Sequence, residues 1–416
     1  MTPRRYQLRK DAVAIIERGH PWIFRDQLST AADIFTDGQW LRLVDGANRV
    51  VAHGIYEAEG AIAIRILRTG PARPDARWVR DQLAAAIAKR APLVDRTDAI
   101  RLVHGESDGL AAVVVDRFAD TLVVASYSLG ADALARHVAR VLIAEAAGVT
   151  AANTEPPGGP SPGDAAELAR YYTIGPAAHV LVRSGRRRTG ELLPARVMRG
   201  AKVPAFVPFV EDGLFFAVDL EGGHKTGTYL DLRGLRRAVA SAPDLAGKRV
   251  LNAFAYTGML GRAAEAAGAA EIVQVDTSAR ALAFAAAHHV GDPSRHRFVT
   301  ADVFEWLPAL DPAAQFDLVI IDPPSMTSRK AQVPTVLAAY RKLYRAAARH
   351  VRPGGAIVAA CCTSRIERAV FQRTVREALG DRFALERELP TEIDHPVTVP
   401  QADYLKISWW RDRGSA

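Results

Sequence analysis

The sequence is poor in cysteine: its 416 residues hold two, Cys361 and Cys362, and these are adjacent. Neighbouring cysteines rarely pair with each other, because a disulfide between them would strain the peptide that joins them. The sequence therefore predicts free thiols in a reducing compartment, and we expect a cytoplasmic protein. No spacing of Cys and His typical of a zinc site is present, so no metal is expected.

Long apolar runs are also missing. The longest ones, such as residues 318–321, have the length of a strand, whereas a membrane span needs about 20 apolar residues. The amino terminus carries Arg4 and Arg5 but no apolar segment typical of a secretory signal. We expect neither a membrane partner nor secretion.

Lysine is scarce, since 8 of the 54 basic residues are lysines and 46 are arginines, and the net charge is +8. The planar guanidinium suits phosphates and base edges. A GC-rich genome also favours arginine and alanine codons, and alanine is abundant here. The charge therefore permits a nucleic-acid partner without demanding one. The four arginines within residues 183–188 predict either a solvated loop or a phosphate contact.

At roughly 150 residues per domain, the length predicts two or three domains. Residues 1–72 show few helical signals and predict a small β-rich domain. Residues 73–190 predict a central α+β domain, with a surface loop at the Pro- and Gly-rich stretch 155–163. In these two domains we expect strands at Trp40–Val44, Val50–Tyr56, 61–67, 110–115 and 121–127, and helices at 77–90 and 131–147.

Residues 191–416 begin with a predicted hairpin, 205–209 and 214–218, and then alternate between strand and helix patterns. Strands are expected at 250–254, 271–275, 298–299, 316–321 and 355–360, and helices at 260–267, 279–288 and 336–350. This alternation predicts a parallel sheet with helices on both faces, a Rossmann-like α/β fold.

The turn after the first of these strands, residues 252–258 (NAFAYTG), lacks the glycine triplet of a dinucleotide-binding turn. A nicotinamide cofactor has a pyrophosphate to cradle, and S-adenosylmethionine has none. Gly258 lets the backbone approach a ligand. At the ends of the next strands, Asp276 is placed to accept from ribose hydroxyls and Asp302 from an adenine amino group. The pattern favours S-adenosylmethionine, although residues 276–278 alone are also typical of a helix N-cap.

The fourth strand ends in residues 322–325 (DPPS), where two prolines hold the Asp322 carboxylate at the mouth of the sheet. Methyltransferases of exocyclic amines usually place an aromatic residue after the prolines, and Ser325 argues against that chemistry. The next strand ends at the two cysteines. A thiolate there could add to carbon 6 of a pyrimidine and activate carbon 5, with Asp322 binding the cytosine edge. Small buried thiols are the alternative.

Several segments resemble the bacterial large-subunit rRNA methyltransferases that make 5-methylcytosine in 23S rRNA. They are 250–258 (VLNAFAYTG), 274–278 (QVDTS), 223–231 (GHKTGTYLD), 322–324 (DPP), 394–397 (DHPV) and 404–406 (YLK). Segment 20–24 (HPWIF) resembles the family's N-terminal RNA-binding PUA domain, and segments 106–110 and 115–117 resemble its central domain. The chain departs from the pattern at Met259, Leu232 and the pair His288 and His289.

The resemblance implies a Rossmann-like catalytic domain, S-adenosylmethionine as cofactor, 23S rRNA as partner and Cys362 as nucleophile with Asp322 beside it. A homodimer is left open. The residues expected to bind the cofactor are Asn252, Phe254, Tyr256, Thr257, Gly258, Asp276, Thr277, Ser278, Asp302, Val303, Asp322 and Pro323. Those expected to contact RNA are Arg5, Lys10, Lys225, Thr226, Tyr229 and Arg233.

Three hypotheses follow. The first is an rRNA cytosine carbon-5 methyltransferase. The second is a methyltransferase of another RNA position, such as a purine ring nitrogen, which mapping of the product nucleoside would separate from the first. The third is an RNA-binding or assembly protein without activity, which a failure to bind S-adenosylmethionine would favour.

Overall fold

The computed structural model describes residues 3–29, 34–146, 179–184, 195–200, 205–223, 226–327, 329–399 and 402–414. It divides into two compact units: residues 1–209, 218–228 and 393–399 form the first, and 210–217, 229–392 and 400–416 form the second. The predicted loop 155–163, three of the arginines in 183–188, and Lys225 lie outside the described residues.

The first sheet of the first unit contains β1 (Arg4–Gln7), β2 (Trp22–Phe24), β3 (Trp40–Val44), β4 (Val50–Tyr56) and β5 (Ile62–Thr69), in the order β1-β3-β4-β5-β2. Tyr6, Ile23, Leu41 and Ile64 form part of its core. The three strands predicted here are confirmed. Helix α1 (Lys10–Glu17) was not predicted, but the β-rich character of this region is confirmed. Ala12 and Ile16, four residues apart, supply the buried face of this short helix.

The second sheet contains β6 (Ala99–His104), β7 (Val113–Phe118), β8 (Thr121–Ser126), β9 (His179–Arg183) and β10 (Arg196–Arg199), in the order β10-β9-β8-β7-β6. Helices α2 (Ala76–Ala88) and α3 (Asp132–Ala146) pack against it. The strand expected at 110–115 begins only at Val113, because Gly109 and Ala112 have positive φ (75° and 57°) and bend the chain. Apolar residues at 110–112 are buried without belonging to a strand.

A hairpin follows, formed by β11 (Phe206–Glu211) and β12 (Leu214–Asp219). Its two turn residues, Asp212 and Gly213, both have positive φ, at 47° and 81°. This is the conformation that matches the right-handed twist of a two-residue hairpin, and Asp-Gly is a preferred pair for it. The hairpin predicted from the sequence is confirmed.

The second unit holds a seven-stranded sheet, in the order β15-β14-β13-β16-β17-β19-β18. Its strands are β13 (Arg249–Ala253), β14 (Glu271–Asp276), β15 (His296–Thr300), β16 (Phe316–Ile321), β17 (Val351–Cys361), β18 (Phe383–Leu389) and β19 (Lys406–Asp412). The helices are α4 (Arg233–Ala240), α5 (Met259–Ala266), α6 (Ala279–His288), α7 (Val303–Ala309), α8 (Val333–Arg349) and α9 (Arg368–Leu379). The Rossmann-like α/β class is confirmed, and β18, β19, α4, α7 and α9 were not predicted.

The five strands from β13 to β17 are parallel, and β19 runs antiparallel to both β17 and β18. Separate apolar clusters cover the two faces: Leu251, Val319 and Ile357 belong to one, and Val250, Leu318 and Val358 to the other. From β13 the chain adds β14 and β15 on one side of the sheet, and then returns to add β16 and β17 on the other side. Ligands of such sheets bind beyond the carboxyl ends of the two strands between which the strand order changes direction, here β13 and β16.

Candidate active site

The turn that follows β13 has an unusual backbone. Phe254 and Tyr256 have positive φ, 61° and 48°, and Gly258 has φ 73°. Residues other than glycine adopt this region rarely, and such strain is found preferentially at ligand sites. A Cβ atom on Gly258 would lie 2.7 Å from Gln274 Oε1 and 2.8 Å from Ala285 Cβ. The turn therefore lies directly on β14 and α6, and only glycine fits at its last position.

Asp276, the last residue of β14, ties this turn to the next one. Its Oδ2 accepts a hydrogen bond from Tyr256 N and its Oδ1 from Ser278 N, both at 2.8 Å. Ser278 Oγ accepts from Ala281 N and is the N-cap of α6. The N-cap alternative therefore applies to Ser278 and not to Asp276, whereas Thr277 is exposed beside them.

Asp302 lies after β15 and is exposed. Its Oδ1 accepts from Phe304 N at 2.9 Å, which makes it the N-cap of α7, and Val303 behind it is buried. The rings of Phe254 and Phe304 meet with their centroids 5.4 Å apart. This aromatic contact joins the turn after β13 to the start of α7.

Asp322 and Cys362 follow the neighbouring parallel strands β16 and β17. Cys362 is half-buried, and its Sγ donates a weak hydrogen bond to Pro323 O, 3.6 Å away, within the Asp-Pro-Pro turn. Asp322 and Cys362 both act on the Tyr229 phenol. Burial first, and then the charges of Tyr256, Asp231, Asp322 and Cys362, raise the pKa of Tyr229 well above its usual range. Tyr229 therefore stays a neutral hydrogen-bond donor beside these two groups.

The two cysteines have different surroundings. Cys361 is fully buried in the apolar cluster that includes residues of α8 and α9, and Tyr340 Oη donates to its Sγ at 3.5 Å. Adjacent residues of a strand point to opposite faces of the sheet. Cys362 accordingly contacts the other cluster and keeps part of its surface accessible. Of the two thiols, Cys362 has the exposure that a nucleophile needs.

Comparison with known proteins connects this arrangement to a family. Residues 195–408 match the model of the S-adenosylmethionine-dependent methyltransferases, and residues 7–69 match a PUA-like domain. A ribosomal RNA large subunit methyltransferase of Deinococcus radiodurans is 33% identical over 97% of this chain and 96% of its own length. Ribosomal RNA large subunit methyltransferase I of Citrobacter koseri is 31% identical over 94% of each chain.

This chain belongs to the S-adenosylmethionine-dependent ribosomal RNA large subunit methyltransferases. Solved structures agree with the fold. A methyltransferase from Streptococcus mutans superposes with a TM-score of 0.76 at 20% identity, over 98% of this chain and all of the other. A methyltransferase solved with S-adenosylhomocysteine gives a TM-score of 0.77, also at 20% identity and with the same coverage. The three domain bounds expected from the sequence stay a prediction.

The cofactor of this methyltransferase family suits the polar atoms that the site offers. S-adenosylmethionine carries ribose hydroxyls and two amino groups, all of which donate hydrogen bonds. Asp276 and Asp302 supply carboxylate oxygens at neighbouring strand ends. Asn252 is 1% exposed, and its Oδ1 has no hydrogen-bond partner among the described residues, so one buried acceptor is left at the base of the turn. A buried acceptor without a partner is costly, which favours a ligand donor there.

The residues expected to contact RNA fall into two groups. Arg5 and Lys10 are exposed, and Tyr229 is half-buried next to Tyr256, with ring centroids 5.3 Å apart. Thr226 and Arg233 are fully buried. Thr226 Oγ1 donates to Asp116 Oδ2, and Arg233 Nε donates to Glu211 Oε2 at 3.1 Å. We correct the expectation for these two, because side chains without exposed surface stabilise the fold rather than bind RNA.

His289 stands out in the sequence only as a departure from the family pattern, and the structure shows its role. Its Nδ1 donates to Thr257 O in the turn after β13, and its Nε2 accepts from Ala217 N at 2.9 Å. Both contacts suit the neutral ring. Burial lowers the pKa of His289 to about 4, although the carbonyl oxygens of Thr257 and Ala217, the latter 3.0 Å from Nε2, act to raise it. No pattern in the sequence pointed to a histidine beneath the turn.

This buried histidine makes stability depend on pH. The unfolded chain binds a proton at His289 near pH 6.5 and the folded chain only near pH 4, so stability is complete above pH 6.5 and decreases as the pH falls toward 4. Between pH 7.5 and 5 we expect His289 to contribute a loss of about 2 kcal/mol. Urea unfolding of the wild type and of His289→Gln at both pH values measures it. Equal losses in the two proteins would contradict the assignment.

Proposed function

We propose that this protein methylates carbon 5 of a cytosine in 23S rRNA, with Cys362 as a covalent nucleophile. The observation that carries the proposal is the half-buried Cys362 Sγ against Pro323 of the Asp-Pro-Pro turn, while Cys361 is fully buried. Carbon 5 of cytosine is a poor nucleophile, so an enzyme that methylates it must first change the ring. A thiolate beside a carboxylate is suited to that change.

The chemistry follows from these two side chains. The Cys362 thiolate forms a bond to carbon 6, and the electron pair of the carbon 5–carbon 6 double bond moves toward carbon 5. Protonated Asp322 gives its proton to ring nitrogen 3 as charge develops there, and its carboxylate then accepts from the exocyclic amino group. Bound S-adenosylmethionine supplies an electrophilic methyl group. A base then removes the proton from carbon 5, the double bond forms again, and the thiolate leaves carbon 6. The proton returns to Asp322 when the thiolate leaves.

Two aromatic side chains suit a base that has left its helix. Tyr229 and Tyr256 meet edge to face, and both rings are half-buried. A cytosine within folded rRNA must leave its stack at a cost of a few kcal/mol, and stacking on an aromatic ring returns about 1–3 kcal/mol. The neutral Tyr229 phenol, kept protonated by burial, offers a donor to the same base.

Nucleoside mass spectrometry of 23S rRNA, from cells with and without the gene, tests this proposal. We expect one 5-methylcytidine to disappear with the gene, to return with the wild type, and to stay absent with Cys362→Ala. Loss of a methylated purine would favour a different RNA position. An unchanged rRNA, together with no binding of S-adenosylmethionine in calorimetry, would favour an RNA-binding protein without activity.

A further inference from the structure

Lys406, the first residue of β19, is a buried charge next to the cysteine pair. Lys406 is 1% exposed. Its backbone pairs with that of Cys361, where β19 runs antiparallel to β17. Burial of an ammonium group costs several kcal/mol unless other groups compensate it. An apolar side chain would fill this position at a lower cost, so the charge itself calls for an explanation.

The contacts of Lys406 hold the backbone around Cys362. Its Nζ donates to Thr363 O at 2.9 Å and to Tyr404 O at 2.8 Å. Thr363 directly follows Cys362, and its Oγ1 in turn accepts from Met326 N at 3.3 Å, just beyond the Asp-Pro-Pro turn. Both partners of the ammonium are carbonyl oxygens. They accept two of its three hydrogens, and no carboxylate of the described residues is in direct contact with its positive charge.

Other charges lie nearby, but they are paired with one another. Arg368 lies between two carboxylates, with 2.7 Å from Nη2 to Asp403 Oδ1 and 3.5 Å from Nη1 to Glu388 Oε2. Burial lowers the pKa of Lys406, while Cys361, Asp403 and Cys362 act to raise it and Arg368 to lower it. The two thiols therefore lie within electrostatic reach of the ammonium.

Three further groups that interact with Cys362 or face the same residue carry no positive charge. Tyr229 is a half-buried phenol and Tyr340 a fully buried one, and the pKa values of both are raised, so both are neutral. Asp322, which acts on Tyr229 together with Cys362, opposes a second negative charge when it is ionised. Lys406, on which Cys362 acts electrostatically, is a cation that can offset Asp322.

We propose that Lys406 is a positioning residue: it fixes the backbone directly after Cys362 and stabilises the Cys362 thiolate. The inference rests on the proposed role of Cys362 as nucleophile. This proposal gives a role to Lys406 in the segment 404–406 (YLK), which the sequence marks only by its resemblance to the rRNA methyltransferases. A cation within about 4–6 Å of a titrating group commonly shifts its titration by 1–3 pH units.

The test measures the thiol itself. In a Cys361→Ala background Cys362 is the single cysteine of the chain, and its alkylation rate by iodoacetamide is followed by mass spectrometry between pH 5 and 10. We expect a midpoint at least about one unit below the usual value of about 8.5. Lys406→Met should raise the midpoint by about one unit or more, and Lys406→Arg, which keeps the charge, should restore most of the difference.

If the alkylation midpoint of Cys362 were at or above about 8.5 in the protein that retains Lys406, the proposal would be overturned. This measurement does not depend on whether a Lys406 variant folds. An equal midpoint in folded Lys406→Met would also overturn it, as would an Arg variant that behaves like Met. The readout requires neither RNA nor cofactor. If Cys362→Ala retained activity, the proposed function would fail while the alkylation shift could still be observed, so the two failures are distinguishable.

Discussion

Replacement of Cys362 by alanine should reduce methyl transfer by at least on the order of 10³-fold, because carbon 5 of the base would no longer be activated. The rate should be measured in a single turnover with labelled S-adenosylmethionine and 23S rRNA. The side chain is half-buried at the end of β17, so its removal should cost the fold little. Calorimetric binding of S-adenosylmethionine to the variant should therefore be unchanged.

Cys361→Ala is the matched control, since it removes the same atom from the adjacent residue. Cys361 is fully buried, and its Sγ accepts a hydrogen bond from Tyr340 Oη. Its replacement should lower the free energy of unfolding by about 1–2 kcal/mol through the small cavity that it leaves. Methyl transfer should continue near the wild-type rate. A wild-type single-turnover rate in Cys362→Ala would show that the covalent mechanism is wrong.

The parallel core of the catalytic fold was largely predictable. β16 and α6 have the bounds expected from the sequence, and β13 and β14 differ from expectation by a residue. These strands are buried on both faces, so they read as short apolar runs between turn residues. β19 is equally buried, but its sequence KISWWRD shows neither an apolar run nor a strict alternation. Its place in the sheet depends on pairing with β17 and β18, which no local pattern records.

The sequence predicts where the candidate site residues lie in the fold more than what they do. Asp276, Asp302 and Asp322 were expected at strand ends, which meet at one edge of a parallel sheet, and the structure places them there; their contact with a ligand stays a prediction. Which of two adjacent cysteines faces the site depends on the register of β17, which tertiary packing sets. Thr226 and Arg233 were expected to contact RNA because they lie in or beside a segment that resembles the rRNA methyltransferases. Only the structure shows the buried carboxylates that bind them.

Gly258→Ala should have the second large effect, on both folding and cofactor binding. The new Cβ would lie 2.7 Å from Gln274 Oε1, in a backbone conformation with φ 73°. Gln274 is fully buried, and its side chain is hydrogen-bonded to Asn252 and His296, so it cannot give way freely. The strain of the left-handed conformation and the overlap together should cost roughly 2–4 kcal/mol of unfolding free energy.

The same overlap should displace the turn that carries Tyr256, whose amide donates to Asp276. Binding of S-adenosylmethionine, measured by calorimetry, should weaken at least about tenfold, or 1.4 kcal/mol. Gly247→Ala separates strain from overlap, because Gly247 has φ 72° but no atom within 4 Å of the position that a Cβ would take. It should lose about 1–2 kcal/mol of stability from the backbone alone and keep its cofactor affinity. If both variants bound S-adenosylmethionine as tightly as the wild type, the close packing of Gly258 on β14 would not be what gives the turn after β13 its cofactor affinity.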